Sequence, residues 1–357
     1  MIKYIGSKRR LVPVLAEIAR AVQATRALDL FTGTTRVAQA FRADGAKVTA
    51  VDITRYAHTF AQAYVSTELG PRRAVALDRA VADLDALPGR PGYVTDVFCT
   101  QARYLTADNG ARVDAIRAAI ADRHRGTWLE PVLLTALVEA ADRVDSTTGL
   151  QMAYLKQWAP RALRRLVLVA PSIPHGPKGR AVHGDATAVV GRLGRFDLAY
   201  LDPPYNQHRY ESNYHVWDTI VRNDQPDTYG VACKRVDLLE RSLRSPFNDR
   251  AHARDALATC LREVDARVIV VSQSNEGWVS HDELVELCAA RGKPERIAVP
   301  TRRYVGAQIG IHSPSGEKVG TVSHLHNLEY VVVTGELTRS ERQVLRRIAA
   351  RCALGPG

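Results

Sequence analysis

The sequence predicts an α/β fold built around a mainly parallel sheet. Short apolar runs of strand length alternate with amphipathic helical patterns, which is typical of parallel strands joined by helices. Hydrophobic residues make up 46% and charged residues 24% of the 357 residues, so disorder over most of the length is excluded. No apolar run approaches the roughly 18 residues of a membrane-spanning helix, so a transmembrane helix is excluded as well.

The first elements have a strand–helix–strand order. Residues 27–31 form a buried apolar run, Gly33 supplies a turn, and an amphipathic pattern follows from about residue 35 to 43. Residues 48–52 form a second strand, whose last residue is the carboxylate Asp52. This order predicts the first parallel unit of the sheet.

Four later runs extend the predicted sheet. Residues 196–201 form a third strand, which Asp202-Pro203-Pro204 stops because proline cannot continue a central strand. Residues 267–272 and 329–334 predict two more strands, and residues 296–299 predict an edge strand or hairpin partner.

Two long intervals predict inserts on this sheet. About 130 residues separate Asp52 from Asp185, whereas a strand–helix–strand crossover needs only about 30. Helical patterns at 108–120 and 132–144 fill part of this interval. The second interval, 206–265, interleaves basic and aromatic residues.

The charge balance favours a polyanionic partner. The chain has 49 Lys and Arg against 38 Asp and Glu, a net charge of +11, and such an excess most often indicates nucleic acid. The inserts carry many of these basic and aromatic residues, and the candidate nucleic-acid contacts are Lys156, Arg161, Arg164, Arg165, Arg209, Tyr210 and Tyr214. The five cysteines contain no C-x-x-C pair, which argues against a zinc module and fits a reducing cytoplasm. No metal site is expected.

The tetrapeptide Asp202-Pro203-Pro204-Tyr205 is the sharpest candidate for chemistry. The two prolines force a rigid corner at the carboxyl end of a strand, the edge at which open α/β sheets bind ligands. The corner presents the Asp202 carboxylate and the Pro203 carbonyl side by side, with the Tyr205 ring next to them. Two acceptors and a flat ring suit a planar substrate with an exocyclic amino group, such as adenine or cytosine.

The turn at Gly33 and the carboxylate Asp52 predict a nucleoside-containing cofactor. Glycine lets a ligand approach the backbone closely, and an acidic residue at the end of the next strand typically accepts hydrogen bonds from a ribose diol. The chain lacks a glycine-rich phosphate pattern, so a dinucleotide is disfavoured. S-adenosylmethionine, which has ribose and adenine but no phosphate, fits best.

Residues 3–8, 29–33, Asp52 and 202–205, in this order, resemble the motifs of the Dam-like (α-class) site-specific DNA adenine-N6 methyltransferases over nearly the whole chain. The resemblance implies a Rossmann-like S-adenosylmethionine-dependent methyltransferase sheet with a mainly helical target-recognition insert. It implies catalysis by Asp202, Pro203, Pro204 and Tyr205. The implied cofactor-binding residues are Tyr4, Lys8, Asp29, Phe31, Gly33, Thr34, Asp52, Ile53, Asp185 and Asp202. Ser272 to Asn275 matches a later motif beside the target base.

The resemblance also gives the predicted domains and partners. Residues 1–65 and 181–340 form the catalytic domain, 66–180 the helical insert for target recognition, and 206–265 a DNA-facing insert. Double-stranded DNA is the expected partner, and the family allows a cognate restriction endonuclease. No motif indicates the recognition sequence or the oligomeric state.

The chain departs from the family pattern at Thr35, which replaces the second glycine of the F-x-G-x-G turn. Threonine disfavours a positive φ, so the turn is conventional or the cofactor contact is altered.

Three functions besides adenine methylation are compatible with the motifs. Methylation of the cytosine N4 amino group needs the same two acceptors, although Asp202 favours adenine. An RNA amino-group methyltransferase would use the same chemistry on a different nucleic acid. A non-catalytic DNA-binding module could keep the fold without the reaction, although the intact tetrapeptide and Asp52 argue against it.

Overall fold

The computed structural model describes residues 2–4, 8–207, 209–240, 245–302, 311–312, 318–320 and 326–353. The strands are β1 (Arg26–Asp29), β2 (Lys47–Asp52), β3 (Arg180–His183), β4 (Phe196–Leu201), β5 (Thr228–Tyr229), β6 (Lys234–Arg235), β7 (Ala266–Ser274), β8 (Glu295–Arg302), β9 (Ile311–His312), β10 (Lys318–Gly320) and β11 (His326–Gly335). The α-helices are α1 (Val12–Ala21), α2 (Arg36–Ala43), α3 (Arg55–Tyr64), α4 (Pro71–Asp85), α5 (Ala107–Arg123), α6 (Leu129–Arg143), α7 (Ala186–Val189), α8 (Tyr210–Asn213), α9 (His215–Arg222), α10 (Ala253–Glu263), α11 (His281–Ala289) and α12 (Arg339–Ala353).

A seven-stranded sheet has the order β3-β2-β1-β4-β7-β11-β8. Strands β3, β2, β1, β4 and β7 are parallel to one another. Strand β11 runs antiparallel to both of its neighbours, β7 and β8, so β8 has the same direction as the parallel strands. The predicted α/β class is therefore confirmed, and β8 lies at the predicted edge. Strand β3 was not predicted, because its four residues are exposed or half-buried and lack an apolar pattern.

The chain order in the sheet changes direction at β1, which places a crevice at the end of this strand. From β1 the chain continues to β2 on one side, whereas the strand on the other side, β4, comes much later in the sequence. Asp29 lies in register with Ala50 of β2 and Tyr200 of β4. In open α/β sheets the crevice outside the carboxyl ends at such a point is where ligands bind.

The two long intervals share one apolar core. Helices α5 and α6 form where they were predicted, and Thr106 caps α5 by accepting a hydrogen bond from the Asn109 backbone N–H. Buried Phe60 of α3, Leu137 of α6 and Trp217 of α9 belong to a single cluster. The helices of 66–180 and the start of 206–265 therefore form one helical body, which packs on α3.

Helix α10 packs differently from the rest of 206–265. Its buried Leu257 and Cys260 lie in a cluster with Leu201 of β4 and Ile269 of β7. This helix covers the sheet as the crossover between two parallel strands. Among the described helices, none is both long enough and apolar enough to cross a membrane.

Candidate active site

A cavity that opens to solvent, with about 890 Å³ of empty space including its mouth, lies at the carboxyl ends of β1, β2 and β4. All the residues expected to bind the cofactor line it: Tyr4, Lys8, Asp29, Phe31, Gly33, Thr34, Asp52, Ile53, Asp185 and Asp202. Residues 5–7 of the N-terminal motif lie outside the described residues.

Gly33 brings the backbone of the β1–α2 turn close to the cavity. It has a φ of +49°, and a Cβ atom here would lie 3.0 Å from the Tyr4 hydroxyl oxygen. Its N–H donates a hydrogen bond of 2.9 Å to Asp52 Oδ2. Only glycine meets both the conformation and the close approach without strain.

Thr35 keeps the left-handed conformation in which the family has glycine. Its φ is +61°, so the turn is not conventional, and its N–H donates to the Thr32 carbonyl at 2.7 Å. Its side chain is fully buried beneath the turn, where its Oγ1 accepts a hydrogen bond of 2.8 Å from Gln39. This side chain does not line the cavity. A left-handed residue with a Cβ costs about 1–2 kcal/mol, which these contacts offset.

Asp29 has an unused hydrogen-bond acceptor. Its Oδ2 accepts from Thr32 Oγ1 at 2.8 Å and from the Ala38 N–H at 3.2 Å. Its Oδ1 is buried without a hydrogen-bond partner among the described residues. Burial raises the pKa of Asp29 to about 7, although the Thr32 hydrogen bond opposes the shift. A buried orphan acceptor at a cavity wall is suited to a donor or cation on a ligand.

Two further carboxylates and one apolar side chain line the same cavity. Asp52 Oδ1 accepts from the Thr54 N–H at 2.9 Å, and burial raises the pKa of Asp52. Asp185 caps α7 by accepting from the Thr187 N–H at 2.9 Å. Ile53 is 44% exposed although it is apolar, so it offers a packing surface within the cavity. Acidic groups beside an apolar surface suit a nucleoside.

Asp202 lies at the end of β4 in a buried polar network. Its Oδ1 is 2.9 Å from Lys8 Nζ and accepts a 2.9 Å hydrogen bond from Ser272 Oγ. The Ser272 hydroxyl is also 2.7 Å from the Tyr200 hydroxyl. Burial raises the pKa of Asp202, and the contacts with Lys8 and Ser272 only partly offset it. The network holds a carboxylate in one orientation at the cavity wall.

The rest of the tetrapeptide surrounds Asp202. Pro204 lines the main cavity, while Pro203, Pro204 and Tyr205 line a small adjoining pocket with Trp278. The Tyr205 carbonyl accepts a 2.9 Å hydrogen bond from the Trp278 N–H, and the ring centroid of Tyr205 is 5.5 Å from Lys8 Nζ. The corner is therefore fixed by backbone as well as by proline.

Comparison with known proteins identifies the family. The family model of D12 class N6 adenine-specific DNA methyltransferases matches residues 4–273. The chain belongs to this family. The predicted family, fold and reaction class are confirmed, and the acceptor is the N6 group of adenine in DNA rather than cytosine or RNA.

Curated relatives extend this likeness over most of the chain. Type II methyltransferase M.NlaIII of Neisseria lactamica is 28% identical, with 91% of this chain and 98% of the relative covered. Type II methyltransferase M.CviAII of Paramecium bursaria Chlorella virus 1 is also 28% identical, with coverage of 85% and 92%. Modification methylase StsI of Streptococcus sanguinis is 27% identical. The match covers 85% of this chain but only 48% of that protein.

Three stacked tyrosines join the N-terminal motif of the methyltransferase to its helical body. The Tyr4 ring lies 4.6 Å from Tyr214 and 5.3 Å from Tyr210, nearly parallel to both. Tyr210 lines the cavity, but Tyr214 is only 1% exposed. The expectation that Tyr214 contacts DNA does not fit this placement, because its ring is part of the core.

The basic residues of the inserts that were predicted to contact DNA differ in their ion pairs and in their exposure to solvent. Arg161 Nη2 is 2.8 Å from Asp145, Arg165 Nη1 is 3.3 Å from Asp85, and Arg209 Nε is 2.9 Å from Glu211. The Lys156 and Arg164 side chains are exposed. Arg161 and Arg209 are thus held by acidic neighbours within the protein, whereas Lys156 and Arg164 face solvent.

Glu329 belongs to the polar network of Asp202 although it was not predicted as a site residue. This residue of β11 is buried, and its Oε2 lies 3.3 Å from Lys8 Nζ. No local motif marks it, because its position depends on β11 inserting antiparallel beside β7.

Proposed function

We propose that the methyltransferase binds S-adenosylmethionine in the strand-end cavity and methylates an adenine that has been extruded from double-stranded DNA. The observation that carries this proposal is the single cavity that joins the Gly33–Asp52 crevice to Asp202. It would bring a methyl donor and an amino group together in one small space.

The residues of the cavity fit this cofactor. Asp29 Oδ1, buried and without a partner among the described residues, can accept a hydrogen bond from the ammonium group of the methionine part. Asp52 and Ile53 line the same cavity, where Asp52 would accept hydrogen bonds from the ribose hydroxyls and Ile53 would pack on the adenine ring. When bound, S-adenosylmethionine supplies a methyl group on a positively charged sulfur.

Asp202 would activate the adenine amino group. The N6 lone pair is delocalised into the ring, so N6 is a poor nucleophile. The Asp202 carboxylate and the Pro203 carbonyl would accept its two hydrogens, which localises the lone pair on nitrogen. That pair would then be free to take the methyl group from the sulfonium, whose C–S bonding electrons would stay on sulfur. The positive charge developing on N6 would lie beside the carboxylate, and one N6 proton would leave to solvent.

Extrusion of the base is required by the position of the target atom. The cavity wall lies within the protein, and N6 lies inside the base-pair stack of a duplex. Tyr205 and Tyr210 border the site and offer ring faces for the extruded base. Exposed cations such as Arg164 would bind phosphates, so affinity should fall with salt.

The biological setting is part of the same proposal. The relatives are type II methyltransferases and modification methylases, which supports a role beside a cognate restriction endonuclease. Cys99, Cys233, Cys260 and Cys288 are buried free thiols, which supports a reducing cytoplasm.

The test compares a variant of Asp202, which follows β4, with a variant of Asp197, which lies near the start of the same strand. We expect Asp202→Ala to lower transfer of labelled methyl groups to DNA by at least about a hundredfold, because it removes an acceptor aimed at developing charge. Binding of S-adenosylhomocysteine should change only a few-fold. Asp197→Asn, at the opposite end of the strand, should retain normal transfer. Near-normal turnover of Asp202→Ala would contradict the proposed mechanism.

A further inference from the structure

Glu329 contacts the cavity residue Lys8 from β11, a strand that none of the motifs includes. Directly opposed residues of neighbouring strands share one face of a sheet. Glu329 is opposed to Ser274 of β7, and Ser272, two residues away on the same face, hydrogen-bonds Asp202. The topology therefore places the Glu329 carboxylate beside the network of Asp202.

Lys8 lies between the two carboxylates. Its Nζ is 2.9 Å from Asp202 Oδ1 and 3.3 Å from Glu329 Oε2, and the side chain is only 8% exposed. Burial disfavours the ammonium charge, but the two carboxylates outweigh it, so the pKa of Lys8 lies well above its ordinary value. With both carboxylates ionised, this buried triad has a net charge of −1.

The second carboxylate changes what Asp202 can do. In an isolated pair with Lys8, the charge of Asp202 would be neutralised, and the pair would give little stabilisation to positive charge developing on N6. A triad with one excess negative charge does stabilise it. A second acceptor also lets the ammonium move aside without becoming an unpaired buried charge.

We propose that Glu329 is a positioning residue for methyl transfer, which shares Lys8 with Asp202 and takes over the ammonium group when Asp202 accepts the adenine amino hydrogens. This inference rests on the proposed role of Asp202. It assigns a function to β11 that the sequence motifs do not.

The charges around Asp202 predict the direction in which the pH profile of methyl transfer should move when Glu329 is replaced. Burial raises the pKa of Asp202, Lys8 lowers it and Glu329 raises it. Among the described residues, Tyr200, Tyr205, Tyr210 and Asp29 also interact electrostatically with Asp202, and Glu276 interacts with Tyr205. Removal of the Glu329 charge leaves Lys8 as the dominant charged neighbour. The acid limb of the rate profile, where Asp202 becomes protonated, should therefore move to lower pH while the plateau falls.

The experiment measures single-turnover methyl transfer at saturating cofactor and DNA from about pH 5 to 9. We expect Glu329→Gln to lower the plateau roughly tenfold to a hundredfold and to move the acid limb down, with the affinity for S-adenosylhomocysteine within threefold. Glu295→Gln is the matched control. Its side chain is equally exposed (12%) and also ion-paired, but it pairs with Arg342 of α12 rather than with Lys8, so its profile should match wild type.

Two further variants keep the outcome decisive. Glu329→Asp retains the charge, so it should keep the wild-type acid limb and an intermediate plateau, even if Glu329→Gln folds poorly. In a Lys8→Met background, Glu329→Gln should have little additional effect on the plateau, because Glu329 acts through Lys8. A Glu329→Gln plateau equal to that of Glu295→Gln, or a lowered plateau with an unmoved acid limb, overturns the proposal. If Asp202→Ala stays active, the proposed role of Asp202 fails instead.

Discussion

The strand-end cavity and the helical body beside it use their charged side chains in different ways. In the cavity, Asp29 keeps a buried oxygen without a partner among the described residues. In the helical body, Arg112 donates to the carbonyls of Leu166, Leu87 and Asp85, and Arg161 is ion-paired with Asp145. A buried carboxylate oxygen left unsatisfied at a cavity wall indicates a ligand, whereas cations that the fold satisfies hold the helical body together. A basic residue in the sequence is therefore weaker evidence for a DNA contact than an orphan acceptor is for a cofactor.

The largest effect on ligand binding is expected from a substitution that narrows the cavity at Gly33. We expect Gly33→Ala to weaken S-adenosylhomocysteine binding roughly a hundredfold, because the added Cβ would lie 3.0 Å from the Tyr4 hydroxyl in a left-handed turn. Gly45→Ala is the control, since Gly45 also has a positive φ but an added Cβ would meet no atom within 4 Å. It should lower stability without changing affinity, as calorimetry would show. Equal affinities for the two variants would contradict the assignment.

A variant of Asp29 tests whether its unpaired buried oxygen binds the ligand while lowering the stability of the ligand-free protein. We expect Asp29→Asn to weaken S-adenosylhomocysteine binding about tenfold, because it removes the charge that faces the ammonium group. Burial raises the pKa of Asp29 to about 7, so the ligand-free wild type binds a proton more tightly when folded. Its unfolding free energy should therefore fall relative to the Asn variant as the pH rises from 4 to 7, by roughly 2–4 kcal/mol.

Thermal or denaturant unfolding of both proteins across this pH range measures the difference. Asp197→Asn is again the control, because the pKa of Asp197 is lowered: hydrogen bonds from Thr25 and Arg26 outweigh its burial. Its stability difference from wild type should stay constant from pH 4 to pH 7. A constant difference for Asp29→Asn as well would show that its carboxyl group is not protonated preferentially in the folded state.

The helical body can be tested by comparing two arginines of one segment. Arg164 is exposed, so Arg164→Ala should weaken DNA binding a few-fold and reduce the slope of log affinity against log salt by about 0.9. Arg161 pairs with the buried Asp145, so Arg161→Ala should instead lower the unfolding free energy by about 1–3 kcal/mol. Salt titrations of DNA binding and unfolding curves separate the two effects. The reverse pattern would place the DNA contact at Arg161.

Thr35 gives the smallest expected change in activity. We expect Thr35→Gly to alter methyl transfer less than twofold and the unfolding free energy by less than about 1 kcal/mol, because relief of the positive φ offsets the lost side-chain contacts. Thr49→Gly, in the regular strand β2, has no such relief and should cost clearly more in unfolding experiments. Equal costs would show that the left-handed turn is unstrained.

The cavity residues could be predicted because local patterns determine where they lie. Apolar runs mark the strands, and the carboxyl ends of parallel strands meet at one edge, so Asp52 and Asp202 were expected to lie together, and the family resemblance added Asp29. The turn at Gly33 follows from the same reasoning. The helices α5 and α6 were likewise predicted from their periodicity.

Non-local packing explains what the sequence could not predict. Tyr214 is an aromatic residue in a polar segment, and only its stacking on Tyr4 shows that it belongs to the core. Glu329 lies in a predicted strand, but its contact with Lys8 depends on the antiparallel pairing of β11 with β7. The pairing of Arg161 with Asp145 depends on how the chain folds back after α6. In each case the partner is set by tertiary structure rather than by spacing.

The most direct test of the central claim is a crystal structure of the methyltransferase with S-adenosylhomocysteine. We expect the ribose hydroxyls on Asp52, the amino group on Asp29 Oδ1, and the sulfur on the side of the cavity that faces Asp202. A ligand bound elsewhere, or one whose sulfur points away from Asp202, would contradict the claim that donor and amino group meet at this carboxylate.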